Sequence, residues 1–212
     1  MKIGILSDIH GDLSAFRSAL LLFEKHQVAR ILCAGDVVEK GPEEEDVVAL
    51  LRERSIPCVQ GNHDENAVRH HTLTVSRDDT DESLLSPETI NFLRQLPSSL
   101  ELDFDEQRIA VAHATFSDNA GRVFHKDGTH RLSKPFKKDL ARLQADIVIV
   151  GHTHSPFDFR YKGKRVINPG ATCLLKPKDS HSAGILDLNS ECFAVYALDD
   201  GRNVEVQPFE VD

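Results

Sequence analysis

Five short apolar runs in this chain each stop at a residue able to bind a cation or move a proton, and that regularity constrains the fold most. Lys2 to Ser7 leads into Asp8-Ile9-His10, Arg30 to Ala34 into Gly35-Asp36, and Ile56 to Gln60 into Gly61-Asn62-His63-Asp64. Arg108 to Ala112 stops at His113, and Ile147 to Val150 at Gly151-His152-Thr153-His154. Helix-like segments separate the first three runs. Leu13, Phe16, Leu20 and Phe23 recur at helical spacing, with Asp12 as a helix-start residue. Gly41-Pro42 opens a second helix, whose early Glu43, Glu44, Glu45 and Asp46 suit the positive end of a helix dipole. A β-α-β-α-β order requires parallel strands joined by right-handed crossovers. Ligands gather at the carboxyl ends of such strands. Carboxylate, imidazole and amide at one sheet edge are hard to explain by stability alone.

Downstream the pattern changes. Residues 72–86 read as an exposed loop rich in Asp, Ser and Thr. Ser86-Pro87 then forms an N-cap with proline at the first helical position, leading a helix to about Leu96. Leu100 to Phe104 and Arg108 to Ala112 flank Asp105-Glu106-Gln107 as in an antiparallel hairpin. The polar stretch 115–135 is expected to be a loop or short cap over the site, and 136–144 a brief helix. Phe157 to Tyr161 and Lys164 to Asn168 flank Lys162-Gly163, a tight turn follows at Asn168-Pro169-Gly170-Ala171, and Gly184 to Leu188 and Cys192 to Ala197 are further strands. These elements predict an α/β fold, a four-layer α/β/β/α sandwich of two mixed β-sheets with outer helices and a metal site at the strand carboxyl ends. With no repeat, linker or composition break, one domain is expected over residues 1–212.

The composition, 40% hydrophobic and 28% charged, is that of a soluble globular protein. A net charge of −9 argues against a dedicated DNA- or RNA-binding surface. No apolar run is long enough for a bilayer, and Met1-Lys2 leads directly into a strand, so a cytoplasmic location without membrane contact is expected. Cys33, Cys58, Cys173 and Cys192 form no Cys-x-x-Cys pair and are expected as reduced thiols packed as small hydrophobes. His26 and His181 read as surface residues, His70 and His71 as incidental helix residues, and His125, Lys126, His130 and Arg131 as surface residues of the cap.

The ordered series Asp8-Ile9-His10, Gly35-Asp36, Gly61-Asn62-His63-Asp64, His113 and Gly151-His152-Thr153-His154 resembles the calcineurin-like metallophosphoesterase superfamily. The length and the Asn168-Pro169-Gly170 turn look most like its small prokaryotic phosphodiesterases. Two positions depart from the family pattern: Ala112 precedes His113 where glycine is common, and Ala171 follows the turn where some relatives carry serine.

The resemblance implies two divalent ions sharing one carboxylate. Asp8, His10 and His154 would hold one, Asn62, His113 and His152 the other, with Asp36 bridging. Mixed carboxylate, imidazole and amide donors suit divalent ions such as Mn, Fe, Ni, Co or Zn, and Mn is the one expected. The implied reaction is phosphodiester hydrolysis by a metal-bridging hydroxide. In the family the equivalent of His63 contacts the phosphoryl group or protonates the leaving group, helped by the carboxylate that follows, here Asp64. The expected substrate is a small phosphoester, a nucleotide or an RNA end among the candidates. A phosphomonoesterase is the alternative, and a non-catalytic scaffold of the same fold a further one.

Overall fold

The computed structural model describes residues 1–76, 84–104, 107–126 and 131–211. In chain order the elements are β1 (Lys2–Leu6), α1 (Leu13–Lys25), β2 (Arg30–Cys33), α2 (Glu44–Glu53), α3 (Asn62–Ser76) and α4 (Pro87–Gln95). A second series follows, β3 (Ser99–Phe104), β4 (Gln107–Ala112), α5 (Lys134–Arg142), β5 (Ile147–Ile149), β6 (Phe157–Tyr161) and β7 (Lys164–Asn168). The chain ends with β8 (Ser182–Asp187), β9 (Cys192–Ala197), β10 (Asn203–Val204) and β11 (Phe209–Glu210).

Two mixed sheets result, of order β10-β9-β8-β1-β2 and β11-β6-β7-β5-β4-β3. The period-two alternation of β1 shows how they stack. Ile3 and Ile5 join the core between the sheets, whereas Leu6 faces the helices. Phe16, Phe23, Val47 and Leu51 hold α1 and α2 on the outer face of the first sheet. Ile3, Ile5, Val111, Ile149 and Ile167 fill the space between the sheets. Phe136 and Leu140 of α5 cover the second sheet against Val148, Phe159 and Val166. Each such fully buried side chain contributes on the order of 1.5–3 kcal/mol. The arrangement is the expected four-layer α/β/β/α sandwich.

Several local expectations hold for visible reasons, and one, the packing of Cys192, does not. Asp12 caps α1 by accepting the Ala15 N–H at 2.9 Å, and Ser86 caps α4 by accepting that of Thr89 at 3.2 Å. Cys33, Cys58 and Cys173 are buried free thiols, and Cys192 is exposed.

Three expectations are corrected. Ile56 to Gln60 is not a strand. It makes a single parallel bridge, Cys33 to Cys58, because Pro57 offers only its carbonyl, to Cys33 N–H at 2.9 Å. The loop expected over 72–86 begins later, since α3 runs on through Ser76. Residues 77–83 lie outside the described part. The antiparallel reading of the second half is incomplete, because β4–β5 and β5–β7 are parallel pairs. The terminal hairpin β8–β9 joins the first sheet, antiparallel beside β1. These pairings bring the carboxyl ends of β1, β2, β4 and β5 to one place.

Candidate metal centre

Turning the chain sharply at a strand end needs unusual backbone. Asp8, His10, Asp36, His152 and His154 all adopt left-handed φ values, from 49° to 65°. Asp and His tolerate this region better than most residues, at a cost on the order of 1–3 kcal/mol each. Cross-loop hydrogen bonds hold the turns in place. Asp8 N–H donates to Gly35 O at 2.9 Å, His10 N–H to Asp36 O at 3.0 Å, and Gly151 N–H to His113 O at 2.8 Å.

Close approach explains two of the glycines. A Cβ on Gly61 would stand 2.1 Å from Asp36 Oδ1, and one on Gly151 would stand 1.8 Å from Ser7 Oγ. Asn168 braces the last loop by donating Nδ2–H to Gly151 O at 2.7 Å and to Thr153 Oγ1 at 3.1 Å. Its own Oδ1 accepts the Gly170 N–H at 2.7 Å. The tight turn after β7 therefore supports the Gly151-His152-Thr153-His154 loop.

Seven of the anticipated residues converge here. Asp8 Oδ1 lies 3.2 Å from His154 Nε2, and His10 Nε2 lies 3.3 Å from His154 Nε2. Asp36 Oδ2 lies 3.1 Å from His113 Nε2 and 3.7 Å from His10 Nε2. His152 Nδ1 lies 3.0 Å from Asn62 Oδ1. Two groups, Asp8 with His10 and His154, and Asp36 with His113 and His152, have the mutual spacing of metal donors.

The hydrogen bonds around the rings test whether a cation fits. His10 Nδ1 faces Val38 O at 3.1 Å, and His154 Nδ1 faces Asp179 Oδ1 at 2.7 Å. Both partners are acceptors, so each Nδ1 carries hydrogen and the two Nε2 lone pairs face one another. His113 Nδ1 likewise faces Ala34 O at 2.7 Å, which turns its Nε2 inward. Among the described residues, buried Asp8 Oδ1 and His113 Nε2 lack hydrogen-bond partners. Asp8 Oδ2, by contrast, accepts Ser7 Oγ–H at 2.6 Å and His152 N–H at 3.0 Å. Facing lone pairs beside an orphaned carboxylate oxygen are what a divalent cation satisfies.

Ionisation reflects the same crowding. Burial opposes charge on Asp36, yet the His113 imidazolium beside it lowers its pKa well below the usual range. Burial also works against a charged His113, but Asp36 and then Asp8 push its pKa up to about 10. His10 goes the other way, down to about 4, because burial outweighs both carboxylates. Burial alone would lower His154, and the neighbouring Asp8 and Asp179 carboxylates raise it.

Asp64 does not pair with His63 in this structure. Asp64 is fully buried, and its carboxylate accepts four backbone N–H groups. The donors are Asp36 at 3.0 Å, Val37 at 2.8 Å, Val38 at 3.2 Å and Gly61 at 2.8 Å. Burial and the neighbouring Asp36 raise its pKa to about 6, so it is still ionised at neutral pH. His63 instead pairs through Nδ1 with Glu39. Its backbone N–H donates to Asp36 Oδ1 at 2.9 Å.

Sequence reasoning missed Glu39, Lys40 and Asp179. Lys40 Nζ lies 2.8 Å from His10 Nε2. Asp179 orients His154 while accepting Leu175 and Lys176 N–H at 3.1 and 2.8 Å. Glu39 and Lys40 directly follow the Asp36 turn and share its left-handed backbone, so adjacency to a ligand was the available signal. Of the expected cap, Asn119 reaches Glu65 Oε2 at 2.8 Å, beside the start of α3. His125 and Lys126 are exposed, and His130 lies outside the described residues.

The comparisons with known proteins agree with this architecture. Residues 1–191 match the calcineurin-like phosphoesterase superfamily domain, and the chain belongs to that superfamily. It is 28% identical to the phosphodiesterase YfcE of Escherichia coli over 200 residues, 94% of either chain. It is 27% identical over 178 residues to serine/threonine-protein phosphatase 2 of Escherichia coli, covering 71% of this chain and 78% of that one. A solved metallophosphoesterase from Sphaerobacter thermophilus shares the fold, with a TM-score of 0.71 at 22% identity over 98% of this chain and 89% of that one. Family membership and the His/Asp cluster together indicate divalent metal binding and phosphoester hydrolysis. Among the described residues no helix is long and apolar enough to cross a membrane.

Proposed function

We propose that the centre is a binuclear Mn site that hydrolyses small phosphodiesters, within one cytoplasmic domain spanning residues 1–212. Asp8, His10 and His154 would hold one ion and Asn62, His113 and His152 the other, with Asp36 serving both. The observation carrying this reading is the place of Asp36 Oδ2, between His113 Nε2 at 3.1 Å and His10 Nε2 at 3.7 Å. Bound divalent ions supply Lewis-acid activation of water and neutralise charge on the phosphoryl oxygens.

The chain's own residues do the rest. Glu39 accepts from His63 Nδ1 and orients the ring, which leaves Nε2 as the nitrogen available for proton transfer to the leaving oxygen. Lys40 Nζ, now 2.8 Å from His10 Nε2, would give up that contact to a bound ion and could then offer its charge to a phosphoryl oxygen. Asp64 and Asn168 keep the ligand loops at fixed positions. Similarity to a phosphodiesterase along nearly the whole chain favours a diester such as a cyclic nucleotide, a dinucleotide or an RNA end. Similarity to a protein phosphatase supports the monoester alternative.

The test is hydrolysis of bis-p-nitrophenyl phosphate and p-nitrophenyl phosphate with Mn, before and after chelation, alongside metal content per chain. The expected result is faster diester turnover, lost on chelation, with two ions per chain in the wild type and neither firmly held in Asp36→Asn. No turnover with any divalent ion, or an Asp36→Asn variant that keeps both ions, overturns the reading. Faster monoester turnover replaces it with the phosphatase.

A further inference from the structure

The loop from Cys173 to Asp179 is fastened to the metal centre at three points. Cys173 N–H donates to Asp8 O at 3.1 Å, and Leu174 N–H donates to Asp12 Oδ2 at 3.1 Å. Asp179 Oδ1 faces His154 Nδ1 at 2.7 Å. The other oxygen of Asp179 accepts Leu175 and Lys176 N–H at 3.1 and 2.8 Å, and Asp179 N–H returns to Lys176 O at 2.9 Å. The backbone of Lys176 is therefore pinned on both sides to the residue that orients His154. Its side chain begins at the rim of the centre.

The carboxylates of this rim are engaged, and its cation is not. Asp12 is held by the Ala15 and Leu174 N–H groups, and Asp179 by His154 and the loop backbone. Lys176 is exposed and, among the described residues, makes no ion pair. Lys40 lies on the same rim, with Nζ 2.8 Å from His10 Nε2. Burial lowers the pKa of Lys40, Asp36 and Asp8 raise it, and Lys176 lowers it again, so the two ammonium groups lie within reach of one another. Like charges placed together in a chain of net charge −9 make a local anion site. Beside Lys176 the loop also presents Leu174 and Leu175, 56% and 37% exposed. Apolar surface next to an unpaired ammonium matches a nucleoside joined to a phosphate.

We propose that Lys176 binds a second phosphate of the substrate, adjoining the one taken by the metals and Lys40, and that Leu174 and Leu175 contact the nucleoside between them. Resting on the hydrolase reading, this subsite selects nucleotide esters that carry more than one phosphate over simple diesters.

The experiment is equilibrium dialysis of thymidine 3′,5′-bisphosphate and thymidine 5′-monophosphate against the Mn-loaded full-length protein, without free Mn. Turnover of bis-p-nitrophenyl phosphate and metal content per chain are measured alongside. At low ionic strength the bisphosphate is expected to bind at least ~10-fold more tightly, the yield of one charge-assisted contact, and salt should shrink that ratio. Lys176→Ala is expected to remove most of the ratio, and Lys176→Glu to bring it to one or below. Lys178→Ala takes the same charge from the same loop and is expected to keep most of it. The double variant Leu174→Ser, Leu175→Ser should weaken both ligands alike, and full affinity there overturns the nucleoside contact. These side chains are all exposed, so the variants are expected to fold and to keep their metal. Equal affinity for the two ligands in the wild type overturns the subsite even if the protein is a hydrolase. So does a ratio that Lys176→Ala leaves intact, or that Lys178→Ala lowers as far. A ratio lost in Lys176→Ala, in a protein with no phosphoester turnover with any divalent ion, keeps the anion subsite and removes the hydrolase reading instead.

Discussion

Asp64 Oδ2 accepts the backbone N–H of Asp36 at 3.0 Å, so the one carboxylate positions the other. Asparagine at position 64 would turn an N–H₂ group toward some of the four backbone donors, leaving buried N–H groups unsatisfied. That costs on the order of 1–3 kcal/mol. Asp64→Asn is therefore expected to lower the free energy of urea unfolding by that amount. Because the Asp36 loop loosens, Mn affinity should fall ~10–100-fold, as for other groups that orient metal ligands. If Asp64 instead aided proton transfer, kcat would drop with stability and metal affinity unchanged.

Glu39 carries the complementary prediction. Its pairing with His63 matters in proportion to how badly the leaving oxygen needs a proton. Glu39→Gln is expected to slow a diester with an alkoxide leaving group ~10²-fold or more, within the range for general-acid catalysis. With p-nitrophenolate leaving, the loss should be several-fold smaller, because that anion departs without a proton. Steady-state rates on a dinucleotide and on bis-p-nitrophenyl phosphate make the comparison. Equal losses on both would show that Glu39 acts on the fold or the metals.

These two carboxylates mark where the sequence stops being legible. Asp8, His10, Asp36, Asn62, His113, His152 and His154 could be singled out in advance because each follows a short apolar run, and the carboxyl ends of β1 and β2 in one sheet meet those of β4 and β5 in the other. The direction a side chain takes after such a turn depends on φ, and the left-handed values at Asp36 and Glu39 carry no periodic signal. Asp64 looked like a partner for His63 by adjacency, yet the first turn of α3 sends its carboxylate back to the Asp36 loop. Asp179 meets His154 from 25 residues on, past the β6–β7 hairpin and the loop after it, beyond any local pattern. Sheet order was hidden for a related reason. The runs at β4, β5 and β7 fit parallel or antiparallel pairing equally, and only the packed sheet decides.

Gly151 tests how tightly the ligand loops touch. A methyl group there would meet Ser7 Oγ at 1.8 Å and Asp8 Oδ2 at 2.9 Å. Gly151 N–H is also bound to His113 O at 2.8 Å, so the loop has no direction in which to retreat. Overpacking of this kind costs roughly 1–3 kcal/mol. Gly151→Ala is expected to lose that much stability and to bind Mn weakly, as read by thermal unfolding and metal analysis. Adding Ser7→Ala should recover part of the loss, since it removes the nearest atom. A double variant no better than the sum of the two single changes would place the strain elsewhere.

His113 sets the dependence on pH. Without metal its pKa lies near 10, because Asp36 and Asp8 outweigh its burial, so it is protonated at pH 7. A histidine raised above its unfolded value of 6.5 stabilises the fold fully below that value. The contribution then fades as pH rises from 6.5 through about 10. Chelator-treated protein is expected to lose melting temperature steadily across that window. Metal ligation requires the neutral imidazole, so Mn must displace the proton, and about one proton per chain from His113 should appear in solution at pH 7. Mn affinity should accordingly strengthen as pH rises toward 9, opposite in sign to the stability of the chelated protein. Calorimetry in buffers of different ionisation enthalpy counts the protons, and thermal melts with and without chelator give the two slopes. Metal binding with no proton released, or a chelated protein whose melting temperature stays flat from pH 6.5 to pH 10, would show that His113 is already neutral and that Asp36 finds its counter-charge elsewhere.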